Sequence, residues 1–260
     1  MNRVIVTGAG SGIGREFTKL FLADGSAVLA VSLLDSELDA LRSELSSYGS
    51  RLETLQMDLA EPSAAEKLLS WCREHDWIPD TLINNAGFAC FGDAVELPLD
   101  RVTSMIELNV ATLTKMSMLF GAVMKERRRG AILNVGSTAG MMPATRMAAY
   151  CATKSYVNTF TYALAEELRP YGVTVTCLTP GATQTNFAKA GGISTFEGRS
   201  MLRDIFAKNK AASPADVARA GYDALQRGKR QALVGTGARL ATVGSRLLPQ
   251  RRIPALFKNV

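Results

Sequence analysis

Two ionisable side chains that share one turn of a predicted helix are the first candidates for chemistry in this sequence. Tyr150 and Lys154 lie four residues apart within 148–169, a segment whose apolar residues recur with helical periodicity. Because residues at this spacing share a helix face, the phenol and the ammonium can occupy one site. A phenol of pKa about 10 can donate a proton to a developing alkoxide, and a neighbouring cation lowers that pKa. The pair therefore indicates proton transfer to or from an oxygen.

A glycine-rich turn near the start of the chain predicts a dinucleotide site. It joins a β-branched run, 4–7, to an amphipathic stretch that begins at Arg15. Glycines allow a tight turn and a close approach to a pyrophosphate, which the unpaired N–H groups of the following helix attract. The turn lacks the Gly-Lys-Ser/Thr ending of a P-loop. Its residues expected at the cofactor are Gly8, Ser11, Gly12, Ile13 and Gly14.

Short apolar runs alternate with longer amphipathic stretches along most of the chain. The runs cover 4–7, 27–31, 52–57, 81–84, 131–135, 173–178 and 231–234. Each parallel strand pair needs a right-handed crossover, so the alternation predicts a parallel sheet with helices on both faces. The predicted fold is therefore α/β, with 1–260 forming a single doubly wound Rossmann-type domain around a seven-stranded parallel sheet.

Three further segments carry predictions about assembly and substrate access. The long periodic stretches 101–127 and 148–169 have apolar faces broader than one sheet contact requires, which indicates a homodimer or homotetramer. Segment 182–212 lacks clean periodicity and is predicted to form a substrate lid. The basic and apolar tail, 237–260, fits packing on a neighbouring subunit or contact with a membrane surface, and packing is favoured.

Composition excludes several classes of protein. His75 is the single histidine, which excludes Ser-His-Asp and Cys-His catalysis, and no metal site is predicted. The four cysteines lack Cys-x-x-Cys spacing and are interpreted as reduced thiols. The net charge is +6, but the basic run 127–129 fits a helix C-terminus, so no nucleic-acid partner is predicted. No transmembrane segment or signal peptide is recognised, and the predicted location is cytoplasmic.

Several motifs follow the glycine turn in order. Asn84-Asn85-Ala86-Gly87 comes after the fourth apolar run, Ser137 ends the fifth, and Pro180-Gly181-x-x-x-Thr185 follows the sixth. Together with T-G-x-x-x-G-x-G at 7–14 and the Tyr150-x-x-x-Lys154 pair, this series resembles the short-chain dehydrogenase/reductase family over roughly residues 1–190. The resemblance implies an NAD(P)-dependent oxidoreductase that acts on CH–OH or C=O groups.

The resemblance also implies residue roles. Ser137 would bind the substrate oxygen and Tyr150 would transfer the proton. Lys154 would hold the ribose hydroxyls, and Asn109 would position a water that relays protons. A catalytically weak regulatory or scaffold protein of the same fold is the alternative, although such a protein would be expected to lose one of the catalytic residues. The other implied cofactor contacts are Ser32, Leu33, Asp58, Leu59, Asn85, Ala86, Gly87, Tyr150, Lys154, Pro180, Gly181, Thr183 and Thr185.

Apolar side chains that follow the motif-bearing strand ends are predicted to line the substrate pocket. Flexible methionines and aromatic rings suit a lipophilic substrate such as an acyl chain, a steroid-like alcohol or a polyketide-like carbonyl. The same residues could instead only pack beneath the lid. They are Phe88, Cys90, Phe91, Met141, Met142, Met147, Phe187 and Phe206.

The choice between NAD and NADP depends on the end of the second apolar run. A carboxylate there, about 20 residues past the glycine turn, typically binds the adenosine ribose, whereas an arginine accommodates a 2′-phosphate. This chain has Ser32 and Leu33 at these positions, and Asp35 comes three residues later, where it is predicted to cap a helix. With no carboxylate to repel the phosphate, these positions slightly favour NADP(H).

Overall fold

The computed structural model describes residues 1–184 and 211–235 of the chain. Five predictions fall partly or wholly outside these residues. They concern Thr185, Phe187, Phe206, most of the lid 182–212, and the tail 237–260.

The described residues form one sheet of seven strands in the order β3-β2-β1-β4-β5-β6-β7, and every neighbouring pair is parallel. This confirms the predicted fold class. The chain runs outward from β1 to β3 and then returns to β4 beside β1, which opens a crevice at the carboxyl ends of these strands. The strands are β1 Arg3–Thr7, β2 Ala27–Ser32, β3 Leu52–Gln56, β4 Thr81–Asn84, β5 Gly130–Val135, β6 Val173–Pro180 and β7 Gln231–Val234.

Helices cover both faces of the sheet. Alternate residues of β1 enter different cores, with Val4 and Val6 on one face and Ile5 on the other. Phe17 and Phe21 pack on the first face, and the second face is built around side chains such as Leu68 and Phe120. The helices are α1 Gly12–Ala23, α2 Asp35–Glu44, α3 Ala64–Glu74, α4 Leu99–Ile106, α5 Leu113–Glu126, α6 Ala148–Leu168 and α7 Pro214–Gln226. Three short 3₁₀ turns cover Ser46–Arg51, Thr138–Met141 and Arg169–Tyr171.

The predicted helix 101–127 differs from the observed structure at its centre. A π-helical segment, Glu107–Thr112, separates α4 from α5 and contains Asn109. A π turn holds one more residue than an α turn and therefore forfeits regular hydrogen bonds. The side chain of Asn109 makes two hydrogen bonds to the backbone of Phe88. The apolar periodicity of the segment does not reveal this wider turn.

In the ranges 1–184 and 211–235, none of the helices combines the length and the apolar character needed to cross a bilayer.

Candidate active site

The crevice collects residues from the carboxyl ends of five strands. Because all the strands are parallel, the residues that follow them lie along one edge of the sheet. Gly8 follows β1, Asn85 follows β4, and Gly181 follows β6, while Ser32 is the last residue of β2 and Ser137 lies two residues past β5. The fold therefore brings together the motifs that the sequence separates by more than 170 residues.

The glycine turn packs too closely against its neighbours for side chains. Gly8 has φ +62°, and a Cβ there would lie 2.9 Å from Asn85 Nδ2 and 3.0 Å from Ala86 Cα. A Cβ on Gly14 would overlap the Gly8 carbonyl. The side chain of Ser11, which precedes α1, makes no capping hydrogen bond to the first turn. These features leave backbone N–H groups at the N-terminus of α1 for an anion.

Thr7 connects the glycine turn to the Asn-Asn-Ala-Gly segment. Its Oγ1 accepts hydrogen bonds from the N–H groups of Asn85, at 2.9 Å, and Ala86, at 3.0 Å. The Asn85 side chain donates to the carbonyls of Thr7 and Gly8, at 2.9 and 3.2 Å. The Nδ2 of Asn85 therefore holds the turn in place beside the backbone of 85–87.

Tyr150 and Ser137 meet at the end of β5. Tyr150 is 6% exposed, and a hydrogen bond joins its phenol to the Ser137 hydroxyl. Ser137 Oγ also accepts a hydrogen bond from the N–H of Ala139 at 3.0 Å, because Ser137 caps the following 3₁₀ turn. Burial raises the pKa of Tyr150 above its ordinary value, and the Ser137 hydrogen bond opposes that rise. The phenol is therefore protonated at neutral pH and can act as an acid.

Lys154 lies one turn after Tyr150 on α6 and is 4% exposed. Its Nζ donates a hydrogen bond to the Val135 carbonyl at 2.8 Å. Burial lowers the pKa of Lys154 to about 8, while the nearby Cys177 opposes this shift. The ammonium is therefore mainly charged at pH 7, although its burial costs free energy.

This cost predicts that Lys154→Met stabilises the protein. At pH 7 the replacement is expected to raise the free energy of unfolding by about 1–3 kcal/mol, because it removes a buried charge. Loss of the bond to Val135 offsets part of the gain. The pKa of lysine is 10.5 in the unfolded chain but about 8 for Lys154 in the folded protein. Between these pH values the unfolded state binds more protons, so the free energy of unfolding of the wild type rises with pH. The stability difference between Lys154→Met and the wild type therefore shrinks over this interval. Denaturant titrations at pH 7 and 10 measure both values, and a wild type more stable at pH 7 would contradict the prediction.

Asn109 connects the π-helical segment to the loop after β4. Asn109 is fully buried. Its Oδ1 accepts a hydrogen bond from the Phe88 N–H at 3.2 Å. Its Nδ2 donates to the Phe88 carbonyl at 2.9 Å and to Thr153 Oγ1 at 3.3 Å. A Cβ on Gly87 would lie 2.8 Å from Asn109 Oδ1 and 3.7 Å from Lys154 Nζ. Asn109 and Lys154 thus border the same backbone position, that of Gly87.

Asn158 holds the backbone around Ser137. Its Nδ2 donates to the Ser137 carbonyl at 3.0 Å and its Oδ1 accepts from the Ser137 N–H at 3.4 Å. A Cβ on Gly136 would overlap Asn158 Oδ1, so this contact requires glycine. Asn158 lies four residues after Lys154 on α6, and that helical spacing is the signal that could have identified it from the sequence.

We expect Asn158→Ala to lower kcat about 10- to 100-fold with little change in dinucleotide affinity, because a displaced Ser137 misaligns the substrate oxygen. Tyr162→Phe is the control, since it removes another polar group of α6, one that bonds Gln231 and not Ser137. Steady-state kinetics and binding titrations separate the two effects. Equal losses in both variants would show that Asn158 only stabilises α6.

A second set of buried amides fixes β4, β5 and α6 beneath the crevice. Asn84 donates to Asn134 Oδ1 at 2.9 Å and to Ser117 Oγ at 3.0 Å, and Asn134 donates to Thr161 Oγ1 at 3.1 Å. Asn84 and Asn134 are directly paired on neighbouring strands. Since buried polar groups are costly when unpaired, this network favours one arrangement of α6 on the sheet. It therefore sets the position of the helix that carries Tyr150 and Lys154.

The remaining cofactor candidates lie at or after the carboxyl ends of β2, β3 and β6. Asp58 is exposed and accepts a hydrogen bond from the Ala60 N–H at 2.8 Å, and the Leu59 carbonyl accepts from Thr112 Oγ1 at 2.8 Å. Leu33 is 55% exposed beyond β2. Pro180 ends β6, and Thr183 donates to the Gly181 carbonyl at 3.1 Å. The expected helix cap at Asp35 is absent because Asp35 is itself the first residue of α2 and its carboxylate pairs with Arg42.

An apolar cluster surrounds Tyr150. Cys90, Met147 and Tyr150 are buried in it, and Phe88 and Phe91 pack on them. The Phe91 and Tyr150 ring centroids lie 6.3 Å apart. Met141 and Met142, at the end of the 3₁₀ turn that Ser137 caps, are half-buried. All the pocket candidates that the structure describes thus lie in the cluster or follow Ser137.

Known proteins resemble this chain in sequence and structure. The family described as short chain dehydrogenase matches residues 2–192. A short chain dehydrogenase of Pseudocercospora fijiensis is 32% identical over 82% of this chain and 72% of its own length. The L-xylulose reductase of Bos taurus is 31% identical over 78% of this chain and 80% of its own length. A short-chain dehydrogenase from Sphingobium yanoikuyae, solved in complex with NADPH, has a TM-score of 0.81 and 29% identity, covering 95% of this chain and 94% of its own. With a family match over most of its length and the family's motifs gathered in one crevice, the chain belongs to the short-chain dehydrogenase family.

Proposed function

We propose that this short-chain dehydrogenase transfers a hydride between a nicotinamide dinucleotide and a lipophilic carbonyl compound or secondary alcohol. The observation that carries the proposal is the burial of Tyr150, with its hydrogen bond to Ser137, inside a cluster of aromatic and sulfur-containing side chains. A protonated phenol in an apolar pocket suits proton transfer to a substrate with apolar substituents.

The glycine turn fits the dinucleotide. The absent Cβ atoms of Gly8 and Gly14, and the uncapped first turn of α1, form a close-fitting backbone surface for a pyrophosphate. When bound, the nicotinamide supplies or accepts the hydride. The backbone of 85–87 and the ammonium of Lys154 would hold the adjoining ribose, and Thr183 and Thr185 would hold the carboxamide. Asp58 and Leu59 would contact the adenine.

The catalytic side chains supply positioning and the proton. Ser137 binds the substrate oxygen beside the Tyr150 hydroxyl, which donates its proton to the developing alkoxide during reduction and accepts it during oxidation. The charge of Lys154 stabilises the resulting phenolate. Asn109 holds Phe88 and Thr153. It would also position a water that relays protons to Lys154.

A substrate series tests the lipophilic specificity. Burying one methylene contributes about 0.8 kcal/mol, so kcat/KM for 2-alkanones is expected to rise about fourfold for each added methylene until the pocket is full. Phe91→Ser should flatten this dependence. Phe160→Ser serves as the control, because Phe160 is a half-buried residue of α6 that packs against the other core and not in the cluster around Tyr150. Assays with both NADH and NADPH are required. Faster turnover of ketose sugars such as xylulose than of any alkanone would contradict the assignment.

We also propose that the protein forms a homodimer or homotetramer in the cytoplasm. Large apolar side chains remain exposed on the outer helices, with Met118 at 61%, Ile106 at 44% and Tyr156 at 42%. The four cysteines are free thiols, which suits a reducing compartment. Light scattering coupled to size-exclusion chromatography measures the assembly. A monomer at micromolar concentration would contradict it.

A further inference from the structure

A carboxylate occupies the space between the end of β2 and the glycine turn. Glu37, in the first turn of α2, accepts a hydrogen bond from Ser32 Oγ at 2.9 Å. A Cβ built on Gly10 would overlap the Glu37 side chain and lie 2.8 Å from Ser32 Oγ. The turn itself is fixed to β2 because the Ala9 N–H donates to the Val31 carbonyl at 3.0 Å. The hydrogen-bonded side chains of Ser32 and Glu37 thus pack directly on Gly10.

This contact lies where a Rossmann-type fold binds the adenosine ribose, beside the glycine turn at the carboxyl end of β2. A carboxylate at that point can accept hydrogen bonds from the 2′- and 3′-hydroxyls and repels a 2′-phosphate. In many such proteins the carboxylate ends the strand itself. Here the strand ends in Ser32, which is 5% exposed, and Glu37 returns to it from the following helix.

The surrounding charges strengthen this discrimination. Helix α2 carries four carboxylates and one guanidinium, that of Arg42. Arg42 pairs with Asp35 and Asp39. Arg15, near the start of α1, pairs with Glu44. Each of these cations is therefore already neutralised by a carboxylate, and a dianionic phosphate would enter a region of negative charge.

We propose that Glu37 selects the dinucleotide: its carboxylate, oriented by Ser32, binds the adenosine ribose hydroxyls of NAD(H) and excludes the 2′-phosphate of NADP(H). This inference rests on the proposed function and names the cofactor that the site takes. It points away from the slight preference for NADP(H) that Ser32 and Leu33 indicate by themselves. The difference arises because Glu37, five residues beyond β2, supplies the carboxylate that those positions lack.

Calorimetric binding titrations of the full chain test the proposal without reference to turnover. The wild type is expected to bind NADH at least about tenfold more tightly than NADPH. A factor of this size corresponds to the usual contribution of one hydrogen bond to a charged group. It should likewise bind 5′-AMP more tightly than adenosine 2′,5′-bisphosphate. Glu37→Gln keeps the shape and removes the charge, so NADPH affinity is expected to rise about tenfold while NADH affinity falls. Ser32→Ala should shift the ratio in the same direction by releasing Glu37.

Glu74→Gln is the matched control, since it makes the same replacement at the exposed last residue of α3, outside the charges that surround the ribose position. Its NADH-to-NADPH ratio is expected to equal that of the wild type. Tighter binding of NADPH by the wild type would overturn this inference alone. So would an NADH-to-NADPH ratio that Glu37→Gln and Glu74→Gln change equally. Binding of neither dinucleotide would overturn the proposed function as well.

Discussion

Tyr150→Phe is expected to lower kcat at least about 100-fold, the usual contribution of general acid catalysis. The replacement removes the phenolic hydroxyl and its hydrogen bond to Ser137 but keeps the ring, which packs against Phe91. The pocket shape and the glycine turn are unaffected, so the affinity for NADH or NADPH is expected to stay close to that of the wild type. Steady-state kinetics and fluorescence titration measure the two quantities.

Tyr156→Phe is the matched control for this replacement. Its hydroxyl lies on the same helix but accepts a hydrogen bond from Thr114 at an exposed position outside the crevice. Its kcat is expected to remain at the wild-type level. If Tyr150→Phe kept more than about a tenth of wild-type activity, Tyr150 would not be the proton donor.

Lys154→Ala is expected to lower kcat/KM by a factor of about 1,000 or more, because it removes both a ribose contact and the charge that stabilises the Tyr150 phenolate. Affinity for the reduced dinucleotide should fall as well. Because the pKa of Lys154 is about 8, wild-type affinity is expected to be constant below pH 8 and to weaken above it as the charge is lost. The variant should lack this dependence on pH.

Lys125→Ala provides the control for the loss of a lysine, since its ammonium lies 4.2 Å from the centroid of the Tyr171 ring and outside the crevice. Its kinetics and its pH profile are expected to match those of the wild type. Unchanged rate and affinity in Lys154→Ala would contradict the proposed roles of Lys154 and leave its burial as a purely structural feature.

The features that could be predicted from the sequence are those with a local cause. The alternation of strands and helices predicts the parallel sheet. The glycines Gly8 and Gly14 mark a turn in which neighbouring atoms lie too close for a side chain. Polar residues directly after apolar runs, such as Ser137, must lie at the carboxyl edge of the sheet. The pairing of Tyr150 with Lys154 follows from helical spacing alone.

The features that could not be predicted depend on tertiary contacts. The π-helical segment contains Asn109, whose hydrogen-bond partner Phe88 lies 21 residues away in the chain. Helical spacing places Asn158 on the same face as Lys154, but its contact with Ser137 is recognisable only once α6 is placed beside β5. Glu37 resembles any exposed acidic residue of a first helical turn until the fold places it against Gly10. In each case the partner lies on another element, so neither composition nor periodicity identifies it.

Transfer of a deuterium label tests the central claim most directly. The protein is incubated with 2-alkanones and NADH or NADPH that carries two deuterium atoms at C4 of the nicotinamide, and the alcohol product is analysed by mass spectrometry. We predict one deuterium at the carbinol carbon with the wild type, the same product with Tyr156→Phe, and almost none with Tyr150→Phe. Tight binding of the dinucleotide with no label transferred to any carbonyl compound of a broad panel, sugars included, would contradict hydride transfer as the function of this site.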